Sequence, residues 1–204
     1  MPINNARTAR GGFSLVEMLV ALTITSLLLT AALVALDSSF KGYKVTTEGA
    51  SSHVVTRIVM QRVMAMIRTG AEFGPYPDDV LDTTQNPVRD ADYIEFAVFD
   101  DGTNRSIVRI ERREAESESQ GPYTLWYIQT DYAGGVVTAE NETPLITNLQ
   151  DARFTLEYDV GPRLRRATVD ITVRPNDVQD ANVGGDLLTP TIRLVSSAVP
   201  RRLD

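Results

Sequence analysis

The sequence predicts an α+β protein, in which a long N-terminal α-helix packs on a head formed by an antiparallel β-sheet. The helix is predicted by an apolar run over residues 13–36 and by apolar residues that recur at steps of three and four between Val55 and Ile67. The sheet is predicted by the alternation of apolar and polar residues in several segments after Asp92.

Residues 13–36 are long enough to cross a membrane as a helix. They would extend about 36 Å at about 1.5 Å per residue, and the hydrocarbon core of a bilayer is about 30 Å thick. The one charged residue in the run is Glu17, and a carboxylate in a spanning segment costs several kcal/mol unless it has a partner, which makes it a candidate functional residue. The alternative is that Glu17, close to the end of the span, only extends its carboxylate to the lipid headgroups. Arg7 and Arg10 precede the run, so the positive-inside rule places the N-terminus in the cytoplasm and the head outside.

Two small residues, Gly11 and Gly12, come before the apolar run. An ordinary secretory signal has its small-residue cleavage site after the apolar region, so that the region is removed. Here the apolar segment would stay on the mature protein. Gly12, Phe13 and Glu17 match the pattern of glycine, phenylalanine, three residues and glutamate, and this stretch resembles the N-terminal signal of type IV prepilins and of type II secretion pseudopilins.

The resemblance implies a processing and assembly site at the start of the helix. A prepilin peptidase would cleave between Gly12 and Phe13, and the new amino group of Phe13 would be N-methylated. Glu17 would contact a neighbouring subunit, because a shifted neighbour brings its Phe13 amine to this carboxylate and neutralises two costly charges. The implied partners are therefore the peptidase, other major and minor pilins or pseudopilins, and the inner membrane.

The predicted helix continues beyond the membrane-spanning part to about Arg68, because the first proline is Pro75. Its second half should dock on the head through Val55, Ile58, Val59, Val63, Met66 and Ile67. The sequence thus predicts four parts: a leader at 1–12, the transmembrane half of the helix at 13–36, its periplasmic half at 37–70, and a β-rich head at 71–204.

The head begins with a segment of loop composition, 70–92, which contains three prolines and two glycines. An antiparallel sheet of about six or seven strands is expected after it. The predicted strands are 93–99, 106–112, 123–129, 136–138, 154–158, 167–173 and 191–199. The charged run from Glu111 to Glu118, with Arg112 and Arg113, is interpreted as a solvated connection.

Composition argues against catalysis and against general nucleic-acid binding. The chain carries a formal net charge of −7 and has no cysteine. Its one histidine, His53, lies on the helix without a triad partner at a recognisable spacing, and no phosphate-binding loop or metal-ligand cluster is present. We expect neither an enzyme nor a cofactor. A cluster at Arg163, Arg165 and Arg166 is interpreted as a charged turn, although it could face DNA or an acidic partner.

Three acidic loop clusters supply oxygen atoms of the kind that hard cations bind, but none has the spacing of a defined calcium loop. They are interpreted as solvated loops without a metal. The clusters are Asp78, Asp79 and Asp82; Asp90 and Asp92; and Asp177, Asp180, Asn182 and Asp186.

A long helix followed by a large β-rich head is similar to the J-type minor pseudopilins of type II secretion and to the related W-type minor pilins. The stretch from Leu149 to Tyr158, with the strand at 167–173, carries this likeness. It implies a structural subunit at the tip of a pseudopilus or pilus, anchored by a single span in the bacterial inner membrane with its head in the periplasm. The alternative is a competence or adhesive minor pilin whose head binds DNA or a surface ligand.

Overall fold

The α+β fold is confirmed in a computed structural model of the protein. The structure describes residues 12–115, 122–161, 163–174 and 191–201. One helix, α1, runs Leu15–Thr69, close to the predicted bounds, and eight strands follow in the described part of the chain. The chain divides into two compact units, Met1–Thr46 and Thr47–Asp204. The first unit contains the N-terminal part of α1, and the second contains the rest of the helix and the whole sheet.

All the strand pairs are antiparallel, and the strand order is β1-β3-β4-β5-β6-β7-β8, with β2 paired to β6. The strands are β1 (Ala71–Gly74), β2 (Val88–Ala91), β3 (Tyr93–Asp100), β4 (Asn104–Glu114), β5 (Tyr123–Ala133), β6 (Val136–Asp159), β7 (Arg163–Val173) and β8 (Ile192–Ala198). The predicted hairpin turns at Gly102 and at Gly134-Gly135 are present, and all three glycines adopt the positive φ that favours glycine in such turns.

The predicted strands at 136–138 and 154–158 are parts of one strand of 24 residues, β6. Its first part pairs with β5, and its second part pairs with β7 along one edge and with β2 along the other. Pro144 lies in the first part of β6, which pairs with β5 on one side and with no described strand on the other. A residue without an N–H group is tolerated at such an edge. β6 therefore joins the strands on one side of the sheet, β1, β3, β4 and β5, to those on the other side, β7 and β8.

The expectation that residues 70–92 form only a loop was wrong, because this segment contains the short strands β1 and β2. The turn between them is attached to the sheet by side-chain hydrogen bonds. The Asn86 side chain accepts from the Tyr158 N–H (3.0 Å) and donates to the Tyr158 carbonyl (2.9 Å). The Tyr158 hydroxyl donates to the carbonyls of Phe73 and Pro75. The end of β6 and the end of β1 are therefore held together.

One face of the second half of α1 packs on the inner face of the sheet, as predicted, but the residues on that face differ from the predicted set. Val55 and Ile58 are 50% and 58% exposed. The buried helix residues are Thr56, Met60, Val63, Met64 and Ile67, with Val59 and Met66 partly buried. They share one core with apolar residues of β3, β4, β6 and β7.

A polar residue on the buried face, Thr56, is satisfied within the helix. Its hydroxyl donates to the Ser52 carbonyl at 2.7 Å. A threonine with this bond presents its methyl group outward, so its burial leaves no polar atom unpaired.

The charged run at Glu111–Glu118 is not a solvated connection where the structure describes it, since residues 111–114 belong to β4. The Arg112 side chain is only 11% exposed and pairs with Asp92 and Asp151. An arginine at this position links β4 to the start of β3 and to β6. Residues 116–118 lie outside the described residues.

Candidate processing and assembly site

The predicted cleavage site precedes the first turn of α1. Gly12 and Phe13 lie in irregular backbone, and the Phe13 side chain is 83% exposed. A peptide bond outside a helix can enter the active site of a peptidase without local unfolding. The leader residues Arg7, Arg10 and Gly11 lie outside the described residues.

Ser14 and Glu17 together cap the N-terminus of the helix. The Ser14 carbonyl accepts the first helical hydrogen bond, from the Met18 N–H at 3.1 Å, so Ser14 is the N-cap residue. Its hydroxyl accepts from the Val16 N–H (3.3 Å), and the Glu17 carboxylate accepts from the Ser14 N–H (2.9 Å). This is a variant of the capping box, in which the serine hydroxyl bonds the N–H of the second helical residue instead of the third, and it satisfies N–H groups that a helix leaves without partners.

The capping box gives Glu17 a bonding partner in its own chain, which sequence reasoning missed. The signal was the spacing of serine and glutamate, Ser14 and Glu17, directly before an apolar run. A carboxylate accepts several hydrogen bonds through its two oxygens, so the bond at Oε2 leaves acceptor capacity for a second donor. Glu17 also lies at the positive end of the helix dipole, which stabilises its charge.

In the N-terminal part of α1, residues 15–40, every apolar side chain is exposed. The helical segment Leu15–Lys44 is long and apolar enough to cross a membrane. Its most apolar window of 18 residues has a mean hydropathy of 2.4, and none of that window is buried within the described structure. Its four central hydroxyl side chains, those of Thr23, Thr25, Ser26 and Thr30, each donate to a carbonyl one turn earlier at 2.7–2.9 Å. These hydroxyls need no water, so the segment is compatible with lipid.

The acidic loops bond to their own backbone. The Asp82 carboxylate accepts from the backbone N–H and the hydroxyl of Thr84 (2.8 and 2.7 Å), and these bonds lower the pKa of Asp82 below its ordinary value. Asp79 accepts from the Leu81 N–H in the same way. Within the described residues, no group of three or more acidic, histidine or cysteine side chains could hold a metal ion. The cluster from Asp177 to Asp186 lies outside them.

The other predicted candidates do not converge on the N-terminal site. His53 is exposed on α1. In the arginine cluster, Arg165 and Arg166 both pair with Glu157 on the neighbouring strand, at 3.3 and 2.6 Å. Arg163 lies at the start of β7.

Comparison with known families agrees with the N-terminal pattern. Residues 7–33 match the family model described as the prokaryotic N-terminal methylation motif. The matched residues include Gly12, Phe13 and Glu17 and most of the apolar run, and they support a type IV prepilin-like N-terminus. No curated protein and no solved structure matches the chain.

Proposed function

We propose that this protein is a minor pilin or pseudopilin, a structural subunit that joins the tip of a type II secretion pseudopilus or a type IV pilus. One observation supports this above the others. The methylation motif covers the start of a helix whose N-terminal part, residues 15–40, exposes its apolar side chains on all sides, so this part needs lipid or other helices around it. A filament core formed by such helices supplies that environment.

The assembly step proposed here depends on the charge balance between Phe13 and Glu17. Cleavage after Gly12 gives Phe13 a free amino group, which is costly near the hydrocarbon core. A neighbouring subunit displaced along the helix axis brings its Phe13 amine to the remaining acceptor sites of Glu17. The two charges then neutralise each other only when the subunits are in register, so Glu17 sets the axial position of the subunit.

In this proposal the chain is anchored by a single span in the inner membrane, with its head in the periplasm before assembly. The head contributes contacts rather than catalysis. Exposure of His53, the one histidine of the chain, supports the absence of an enzymatic role, because a histidine that acts as a general base needs a positioned partner.

Processing is tested by the intact mass of the protein extracted from membranes that contain an active prepilin peptidase. The mass should lack Met1 to Gly12 and should include one methyl group on the new amine. Gly12→Leu should block cleavage, and cells without the peptidase should retain the full-length chain. A full-length mass in peptidase-positive cells would disprove the proposal.

Assembly is tested with Glu17→Leu and with a matched control, Thr30→Leu. An unpaired charge costs about 2.5–3.5 kcal/mol at the centre of the membrane and less towards its surface, so losing the pair should reduce incorporation by up to roughly 300-fold without affecting cleavage. Thr30 bonds only within its own helix, and its replacement should leave incorporation unchanged. Incorporation is measured by crosslinking to the partner subunits, and normal incorporation of Glu17→Leu would contradict the assigned function of this residue.

A further inference from the structure

The head contains a cavity of about 840 Å³ at the end of the sheet where β1, β6 and β7 meet. It is formed by three segments that are far apart in sequence: the start of β1, the turn between β6 and β7, and the residues that follow β8. The Tyr158 hydroxyl holds β1 to β6 at this place, and the Arg201 N–H donates to the carbonyl of Arg68 at the end of α1 (2.9 Å). The walls of the cavity are therefore fixed by hydrogen bonds.

Three arginines from these segments converge on the cavity: Arg163, Arg165 and Arg201. Arg165 is 3.3 Å from the Glu157 carboxylate. Arg163 and Arg201 make no ion pair within the described part of the chain. Two guanidinium groups are thus available to a ligand, and arginine binds carboxylates through two parallel hydrogen bonds.

The two acidic residues of the cavity differ in their partners. Glu72 forms an ion pair with Arg105 at 2.5 Å, whereas the Asp159 carboxylate accepts from the Val160 N–H at 2.9 Å and keeps its charge. Among the described residues neither carboxylate forms an ion pair with Arg163 or Arg201, and the three arginines of the cavity outnumber its two acidic residues.

The cavity also has apolar walls that the head leaves uncovered. Val160 and Val199 are 72% and 64% exposed, and Tyr76 is 47% exposed. Apolar side chains beside free guanidinium groups suit a ligand that has both carboxylates and an apolar side chain.

We propose that this cavity binds an acidic polypeptide segment of a partner protein, an interaction beyond assembly through the N-terminal helix. Carboxylates of the segment pair with Arg163 and Arg201, and an apolar side chain packs on Val160 and Val199. Nucleic acid fits less well, because duplex phosphates require a continuous basic surface, whereas this site is concave and has apolar side chains beside its arginines.

The test uses the full-length protein in detergent micelles and fluorescein-labelled pentapeptides of the type Glu-Asp-Leu-Glu-Asp, with the central residue varied among apolar side chains. Binding is followed by fluorescence anisotropy at low and high salt. At least one acidic peptide should bind below about 1 mM and weaken with salt, whereas the matching Gln and Asn peptides should not bind. The absence of binding by every acidic peptide would overturn the proposal.

The double variant Arg163→Glu/Arg201→Glu should weaken peptide binding about tenfold or more, since two ion pairs are each replaced by a repulsion. Arg89→Glu is the matched control: Arg89 is an exposed arginine on β2 that does not line the cavity, so its variant should bind as the wild type does. Unchanged Trp126 fluorescence would show that the variants fold. Equal binding by the double variant, or tighter binding of a labelled DNA duplex through the same two arginines, would overturn the proposal.

Discussion

Replacing Ile67 by alanine tests whether α1 is an essential part of the core of the head. The Ile67 side chain is completely buried, among apolar side chains of the helix and the sheet. Removing its outer carbons leaves a cavity, and changes of this type cost about 2–5 kcal/mol. A loss of this size is a large part of the total stability of a domain, which is about 5–15 kcal/mol.

Ile58 provides a matched control on the same helix. Its side chain is 58% exposed, so the same substitution removes few contacts there and should change stability by no more than about 0.5 kcal/mol. Alanine also favours the helix slightly over isoleucine, which reduces the cost at the exposed position further.

The assay is urea unfolding of the full-length protein in mild detergent, followed through Trp126, the one tryptophan of the chain. Trp126 lies on β5 and is part of the sheet, so its fluorescence reports the unfolding of the head. We expect the transition midpoint to fall markedly for Ile67→Ala and to stay near the wild-type value for Ile58→Ala. Equal shifts for the two variants would refute the assignment of the buried helix face, and no shift for either would show that the helix does not stabilise the sheet.

Two further substitutions test the packing at the helix end and the charges beside β6. In Gly70→Ala the new methyl carbon would lie 2.6 Å from a ring carbon of Phe96, so thermal unfolding should show a loss of stability of about 1–3 kcal/mol. The control is Gly42→Ala, whose methyl carbon meets nothing within 4 Å and should be neutral or slightly stabilising. Equal effects of the two substitutions on stability would exclude the close approach of Gly70 to Phe96. Partial burial opposes the ionisation of Asp151, but hydrogen bonds, first from Arg153, outweigh it and lower the pKa of Asp151 below 3.8. The ionised Asp151 carboxylate stabilises the fold above about pH 4, and this stabilisation is lost as the pH falls through the lowered pKa. Asp151→Asn should therefore be less stable than the wild type at neutral pH and should lose less stability on acidification. Parallel acid-unfolding curves for the two proteins would contradict this.

The start of the helix could be predicted closely because its determinants are local. The apolar run begins at Phe13, two residues before the first helical residue, and the end of the helix is marked by Gly70. The cap formed by Ser14 and Glu17 is also local, at a spacing of three residues, although it was not predicted. Alternating segments likewise predicted most of the strands from β3 onward, because a half-buried strand needs a period of two. Contacts between neighbours in sequence can be deduced from the sequence alone.

The buried face of α1 was predicted with errors because the helix carries apolar residues on more than one side. Val54, Val55 and Ile58 are exposed, whereas Met60 and Met64 are buried. A periodic pattern identifies a single face only when the other faces are polar, and here the choice depends on which side meets the sheet. The short strands β1 and β2 were missed for a related reason: four residues beside prolines show no alternation, and pairing with β3 and β6 fixes them.

The cavity is the feature furthest from sequence prediction, because its arginines come together only through strand register. Arg163 lies opposite Asp159 at the β6–β7 turn, and Arg201 reaches the same place because β8 pairs with β7 and ends beside the last turn of α1. In the sequence, Arg163 belongs to a predicted charged turn and Arg201 follows the last predicted strand, and nothing relates the two residues. A site made by local chemistry, such as Gly12 to Glu17, can therefore be proposed before the fold is known. A site made by long-range pairing has to be proposed from the fold, and it needs a separate experiment because the N-terminal motif provides no information about it.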